Sequence, residues 1–345
     1  NEEDAAVISN RDSVEFASKL WGLDPVFTSR SLLAKNIGTK SIVMVRYNTA
    51  QATDARDAMV KRVYAELFQF VVNKINQTLS STHQKRHNFI GVLDIFGFES
   101  FATNSFEQLC INFCNEKLQF HFNEHIFRME QALYEAEGVP ISATDFKDNK
   151  PTLDLLEAKA TGIFSMCDEE ISVPRGSDEG MLTKIFQKHG DNKHPNCLRP
   201  KPKECLNSIK CFGVLHYAGP VFYDVSGFLD KNRDQVHADI IGCLKSSTKS
   251  IISGFFEAER GAAGSRSSTA KPGRAKTLGG QFKTQLTDLI NTLNATTPHF
   301  VRCLKPNDNR EGNKFVCPRI QDQLRYAGLL EVCRIRKLGY PDRRE

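Results

Sequence analysis

Residues 88–101 read NFIGVLDIFGFESF, and how this stretch folds decides the architecture. Phe89 to Ile95 is nearly continuous apolar sequence without polar alternation, the pattern of a strand buried on both faces of a parallel sheet. Ligands gather at the carboxyl ends of such strands, and Asp94 falls at that end. A buried strand that delivers a carboxylate to a nucleotide site is an arrangement that supports Mg2+ in P-loop machines. Gly97, three residues on, lets a backbone N–H approach a terminal phosphate with no side chain in the way. The D-x-x-G pattern alone is weak, since about one chance match is expected in a chain of this length. A second occurs at Asp224 to Gly227.

The sequence that follows gives the pattern its context. Ser105 and Gln108 form a capping box. Phe106, Leu109, Cys110, Phe113, Leu118, Ile126, Phe127, Met129 and Leu133 then recur at helical spacing until Gly138 and Pro140 end the run. About 33 residues make a rod of roughly 50 Å at 1.5 Å per residue, well beyond the usual helix of about 11 to 12 residues. A phosphate-sensing loop joined to such a rod can turn a local change into displacement at a distance.

Upstream, residues 1–38 read as helical, with Asp12 and Ser13 as cap candidates and Pro25 as a break. Ser41 to Tyr47 reads as a short strand. Ala55, Met59, Val63, Leu67, Phe70, Val71 and Ile75 set out a long amphipathic helix over 53–79 that is expected to pack on a sheet.

Composition bounds the class. Of 345 residues, 40% are hydrophobic and 25% charged, as in a globular protein with a large core or two domains. The net charge of +5 is uneven. Residues 257–345 carry 17 Lys plus Arg against 9 Asp plus Glu, leaving 29 against 32 for residues 1–256. A basic final quarter suits an acidic partner, although no nucleic-acid recognition motif accompanies it. The ten cysteines lack CxxC pairs, and Cys197, Cys205 and Cys211 near His189 and His194 do not have zinc-ligand spacing. Reduced cytosolic thiols and no metal site are expected of them. Cys211 to Tyr223, the longest uncharged stretch, is too short to span a bilayer, and no targeting segment opens the chain, so a cytoplasmic location without a membrane segment is expected.

LDIFGFESFATNSFEQLCINFCNEKLQFHFNEHIF (93–127) resembles the switch II loop and relay helix of the myosin motor domain. The resemblance runs through nearly the whole chain. ATDARDAMVKRVYAELFQFVVNKIN (52–76) is similar to the helix before switch II, and HYAGPVFYDVSGFLDKNRD (216–234) to the segment before the actin-facing loop, which implies a structural role for the second D-x-x-G. TPHFVRCLKPND (297–308) is similar to the actin-interface and strut region, and QLRYAGLLEVCRIRKLGYPDR (323–343) to the short helices entering the converter.

The resemblance implies an α/β, P-loop NTPase-like myosin motor containing part of a mixed central sheet, a relay helix and a largely helical actin-binding subdomain. The implied segments are 1–87 before switch II, 88–140 for switch II and relay helix, 141–256 for the lower actin-binding subdomain, 257–283 for a basic surface loop, 284–318 for the actin interface and strut, and 319–345 toward the converter. It also implies ATP and Mg2+ as cofactors and F-actin as partner. Asp94 would lie behind Mg2+ and Gly97 on the terminal phosphate, and Glu99 would pair with a switch I arginine around the attacking water. That desolvated pair is costly unless both partners are present.

The implied actin-facing residues include Arg266, Lys271, Arg274, Lys276 and Lys283, in a stretch (260–283) without acidic residues whose charge can steer encounter with an acidic filament. They also include Arg175, in EEISVPRG (169–176) at the tip of a helix-turn-helix, and Leu286, Asn291, His299, Arg302, Lys305, Asn307 and Asp308. In that helix-turn-helix Ser177 is the expected N-cap, and Met181, Leu182, Ile185 and Phe186 form an apolar stripe that either faces the core or serves the interface. Gly328 and Gly339 are candidate hinges.

Tyr326 and Arg336 stand where muscle-type members carry reactive cysteines, with Cys333 nearby. The sequence contains no G-x-x-x-x-G-K-[ST]; NIGTKS at 36–41 lacks the first glycine and the Gly-Lys pair. A switch I pattern is missing as well, so the chain reads as the C-terminal half of a motor that should not hydrolyse ATP alone. Light chains or calmodulin are implied only if a lever arm follows residue 345. A nucleotide-inactive actin-binding fragment is the alternative reading.

Overall fold

In the computed structural model the described residues are 4–37, 43–79, 89–138, 149–173, 175–205, 208–233, 236–257 and 277–338. They divide into two units, residues 1–91 with 234–275 and residues 92–233 with 276–345.

The first unit begins with α1 (Arg11–Trp21), capped by Asn10, whose side chain accepts from the Ser13 N–H. The cap therefore precedes the expected Asp12 and Ser13. Gly22 closes the helix with a left-handed φ of 66°, which glycine adopts without penalty. Asp24 caps α2 (Pro25–Leu33), with Pro25 at its start, where a missing N–H costs nothing. Residues expected to stay helical to 38 instead turn extended: β1 (Ala34–Ile37) pairs antiparallel with β2 (Val43–Arg46).

The long helix α3 (Thr49–Leu79) packs on helices rather than on a sheet. Its buried Ala55, Met59 and Val63 join Leu23 of the α1–α2 turn, Ile240 and Leu244 of α9 (Ala238–Lys245) and Phe256 of α10 (Ser250–Glu257) in one core. Farther along, Tyr64, Leu67, Phe68, Val71, Ile75 and Leu79 are exposed.

Phe89 to Ile95 forms neither strand nor helix, and Ile90 and Val92 are 98% and 94% exposed. The buried parallel strand expected there is thus corrected: both sheets among the described residues are antiparallel. A strand buried on both faces requires neighbouring strands, and the described residues supply none to this stretch.

The second unit is organised around α4 (Phe106–Ala136), whose 31 residues make a rod of roughly 46 Å. The Ser105 N–H donates to Gln108 Oε1, and Ser105 Oγ accepts from Lys231 Nζ. Phe106, Leu109, Cys110 and Phe113 lie in the core, whereas Met129 and Leu133 face outward. Around the buried half stand α5 (Lys150–Glu157), α6 (Ile163–Ser172), α7 (Asp178–His189), α8 (Phe228–Arg233) and α11 (Leu278–Asn294). A small sheet orders β3 (Cys197–Leu198), β4 (Cys211–His216) and β5 (Gly219–Asp224), with β4–β5 a tight hairpin. The chain then runs through α12 (Cys317–Tyr326) and α13 (Leu329–Leu338).

The Cys205 and Cys211 sulfurs lie next to each other, and the other eight cysteines are free thiols. The turn at 208–210 brings Cys205 and Cys211 together at the start of β4. Among the described residues no group of three or more metal-ligating side chains occurs and no helix is long and apolar enough to cross a membrane.

Candidate functional site

The loop 94–99 is held to α4 through its backbone. The Glu99 N–H donates to Asn112 Oδ1 (2.8 Å), and Asn112 Nδ2 donates back to the Glu99 carbonyl (2.7 Å). One turn along, Asn115 Nδ2 donates to the Phe96 carbonyl (3.0 Å). The Glu99 carboxylate accepts from Gln108 Nε2 at 3.3 Å. Between these anchors, the Phe98 ring is buried against His216, Tyr217 and Tyr326, with ring centroids 5.3, 5.5 and 5.5 Å away.

Asp94 and Gly97 lie on the open side of the loop. A Cβ at Gly97 would meet nothing within 4 Å, so no neighbour in the described structure requires glycine there. The Asp94 carboxylate is exposed. An exposed acid, an open glycine and an acid anchored from behind fit the Mg-nucleotide donor set expected of this loop.

Behind the loop runs a buried polar chain. Asn112 Nδ2 also donates to Tyr223 Oη (2.8 Å), which lies 2.8 Å from His216 Nε2, and His216 Nδ1 lies 2.8 Å from Glu116 Oε2. The Tyr217 N–H reaches the same oxygen (3.3 Å), and Asn149 Nδ2 donates to Glu116 Oε1 (2.7 Å). The His216 and Glu116 side chains are fully buried. A buried carboxylate demands such donors. Burial pushes the Tyr223 and Tyr217 phenols well above their ordinary range, with the Asn112 bond opposing the shift at Tyr223. Burial, with Glu107 nearby, also pushes the Cys110 thiol up to about 12, so that thiol is not a nucleophile at neutral pH.

None of these polar residues was singled out from the sequence. Asn112 and Glu116 lie four residues apart on the buried side of α4, with Asn115 beside them, and that placement was the available signal.

The second D-x-x-G is a turn: Asp224 Oδ1 accepts from Ser226 N–H and Oγ, and the Gly227 N–H donates to Asp178. At the α6–α7 tip, Arg175 adopts a left-handed φ of 63°. Glu170 accepts from the Ser177 N–H and pairs with Lys184. The stripe Met181, Leu182 and Ile185 is buried in the core, so these three side chains support the tip instead of presenting an interface.

The remaining residues named from the sequence divide by accessibility. Arg266, Lys271, Arg274, Lys276 and Gly339 lie outside the described residues. Lys283 is partly buried and donates to the Glu157 carbonyl (3.2 Å). Two expectations of surface contact are corrected. Leu286 is buried in the core, and Asn307 is buried with Nδ2 donating to the Glu311 and Lys314 carbonyls and Oδ1 accepting from the Glu311 N–H, which closes the 307–314 loop. Asn291 and His299 are exposed. Arg302 stacks over Phe122 and Phe300 and donates to the Ala327 carbonyl. The Lys305 backbone is paired with Gln323 at both N–H and C=O, and Asp308 pairs with Arg319 (2.8 Å). Gly328 has φ 68°, and a Cβ there would collide with the Gln119 amide of α4.

The whole chain, residues 1–345, matches the myosin head (motor domain) family, and it belongs to that family. Among similar proteins, the myosin-I heavy chain of Dictyostelium discoideum is 43% identical over 339 residues, covering 97% of this chain and 14% of that protein. Unconventional myosin-Vb of Mus musculus is 42% identical over 329 residues, with 90% and 18% covered. Myosin-2B of Naumovozyma castellii is 40% identical over 352 residues, with 99% and 24% covered. The chain thus spans less than a quarter of the length of each of these relatives.

Proposed function

We propose that this chain is the part of an actin-based, P-loop NTPase-like motor that joins a nucleotide site to filament-facing surfaces. One observation carries the reading: the Glu99 main chain is bound at both N–H and C=O by one amide of the long helix. A loop that follows a phosphate cannot shift at Glu99 without breaking both bonds or carrying α4 with it.

Asp94 would support Mg2+, the Gly97 N–H would serve the terminal phosphate of bound nucleotide, and Glu99, with an arginine from another segment, would orient the attacking water. Bound Mg-ATP supplies the phosphoryl-transfer chemistry; the loop orients, excludes water and reports by moving. The basic stretch 260–283 steers encounter with F-actin. The Arg175 tip and the 291–308 segment, with Asn291, His299, Lys305 and Asp308 accessible, complete the contact. Light chains or calmodulin belong to any lever arm beyond residue 345. The setting is the cytoplasmic actin cytoskeleton, without nucleic acid.

Co-sedimentation of the full-length protein with F-actin, with and without ATP, tests the reading. ATP is expected to release it from the filament. Glu99→Ala is expected to bind ATP while single-turnover hydrolysis is suppressed. Actin binding that ignores ATP would favour a nucleotide-inactive actin-binding protein, and normal hydrolysis in Glu99→Ala would remove the role given to that residue.

A further inference from the structure

We infer that Tyr223 and His216 are positioning residues for the switch II glutamate, acting through Asn112 as a buried hydrogen-bond chain anchored on Glu116. The inference rests on the motor reading above and adds residues that touch neither nucleotide nor filament.

The direction of the chain follows from counting hydrogens. An amide has two N–H donors, and Asn112 spends one on the Glu99 carbonyl and the other on Tyr223 Oη. Its Oδ1 accepts from the Glu99 N–H. The Tyr223 hydroxyl, already accepting from Asn112, has one hydrogen to give, and His216 Nε2 lies 2.8 Å away. His216 Nε2 is then the acceptor, and its proton resides on Nδ1, which donates to Glu116 Oε2. The tautomer is assigned by the network as a whole.

Each member is thereby oriented by the next. Glu116 is held by the Asn149 amide and the Tyr217 N–H as well as by His216. It fixes the imidazole, the imidazole fixes the hydroxyl, and the hydroxyl fixes the rotation of the Asn112 amide. An amide rotated by half a turn would place its N–H against the Glu99 N–H and its oxygen against the Glu99 carbonyl, so the chain permits one face only. Phe98 packs edge-on against His216 from the loop side, so the histidine meets the loop through an aromatic contact as well as through the polar chain. Buried networks of this kind specify a single arrangement when every member is satisfied.

The experiment uses the full-length protein and four measurements: ATP binding rate, single-turnover hydrolysis, actin co-sedimentation without nucleotide, and Tm. Tyr223→Phe deletes only the hydroxyl. It is expected to slow hydrolysis about tenfold, the usual scale for one buried hydrogen bond, with ATP binding and nucleotide-free actin binding unchanged. His216→Asn keeps a donor toward Glu116 and withdraws the acceptor from Tyr223, whereas His216→Gln can keep that acceptor. Hydrolysis is therefore expected to fall further in His216→Asn than in His216→Gln, even where the two have equal Tm. Wild-type hydrolysis in Tyr223→Phe overturns the inference, as does hydrolysis that merely tracks Tm across the three variants. A wild-type protein that ATP does not release from actin overturns the motor reading itself, and the inference with it.

Discussion

Gly328→Ala perturbs the junction of α12 and α13 at a position where two costs can be separated. The residue adopts φ 68°, and an L side chain in that conformation costs about 1–2 kcal/mol. The added Cβ would also run into the side-chain amide of Gln119. Gln119 is 3% exposed and donates to Asn123 Oδ1 at 2.8 Å. Moving it aside breaks a buried hydrogen bond at a cost of about 1–3 kcal/mol. Together the two terms give about 2–5 kcal/mol, or a rise of roughly 30- to 4,000-fold in the open population of the junction at about 1.4 kcal/mol per factor of ten. Amide hydrogen exchange read by peptide over residues 317–338 measures that population directly. Gln119→Ala in the Gly328→Ala background removes the clash and leaves the backbone term, so about half of the lost protection should return relative to Gln119→Ala alone. Protection in Gly328→Ala equal to that of the wild type would refute the reasoning, because neither the left-handed backbone nor the close approach to α4 would then matter.

Two further outcomes follow from charge. Burial pushes the Asp239 carboxyl up, but bonds from the Asn36 backbone and side chain and the nearby His237 outweigh it, and the group titrates below its ordinary value. A depressed folded pKa contributes stability above the unfolded value of about 3.9, and that stability is lost as pH falls through the folded pKa. Asp239→Asn should accordingly lower Tm at pH 7, with the difference from wild type closing below about pH 4; an equal difference at every pH would show that the carboxylate charge is irrelevant. Replacing Arg266, Lys271, Arg274 and Lys276 by Gln should slow association with F-actin most at low ionic strength, where exposed charges are least screened. A rate loss independent of salt, measured by stopped flow, would rule out electrostatic steering.

Much of the helical frame was legible because periodicity is local. The α4 start was visible in Ser105 and Gln108, and the α7 cap in Ser177. Boundaries shifted where a neighbouring residue made the better cap, as Asn10 did for α1. The stretch 89–95 was legible as apolar but not as unpaired, since pairing depends on other strands. Asp94 and Gly97 stood out as a weak D-x-x-G pattern, and Glu99 was reached only through the family resemblance. Asn112, Glu116, His216 and Tyr223 did not stand out: their meaning arises from contacts spanning up to 111 residues, and each alone reads as an ordinary helix or strand residue. Leu286 and Asn307 misled for the converse reason, because a segment can match an interface while individual side chains within it face inward.

The Asn112 amide grips residue 99 by its main chain alone, while Gln108 holds the Glu99 carboxylate, so the main-chain anchor does not depend on which side chain residue 99 bears. Place and chemistry are thereby made separable traits. In the proposed motor, a substitution at 99 would change the chemistry with the main chain still held, and a substitution at 112 would displace a chemically intact glutamate.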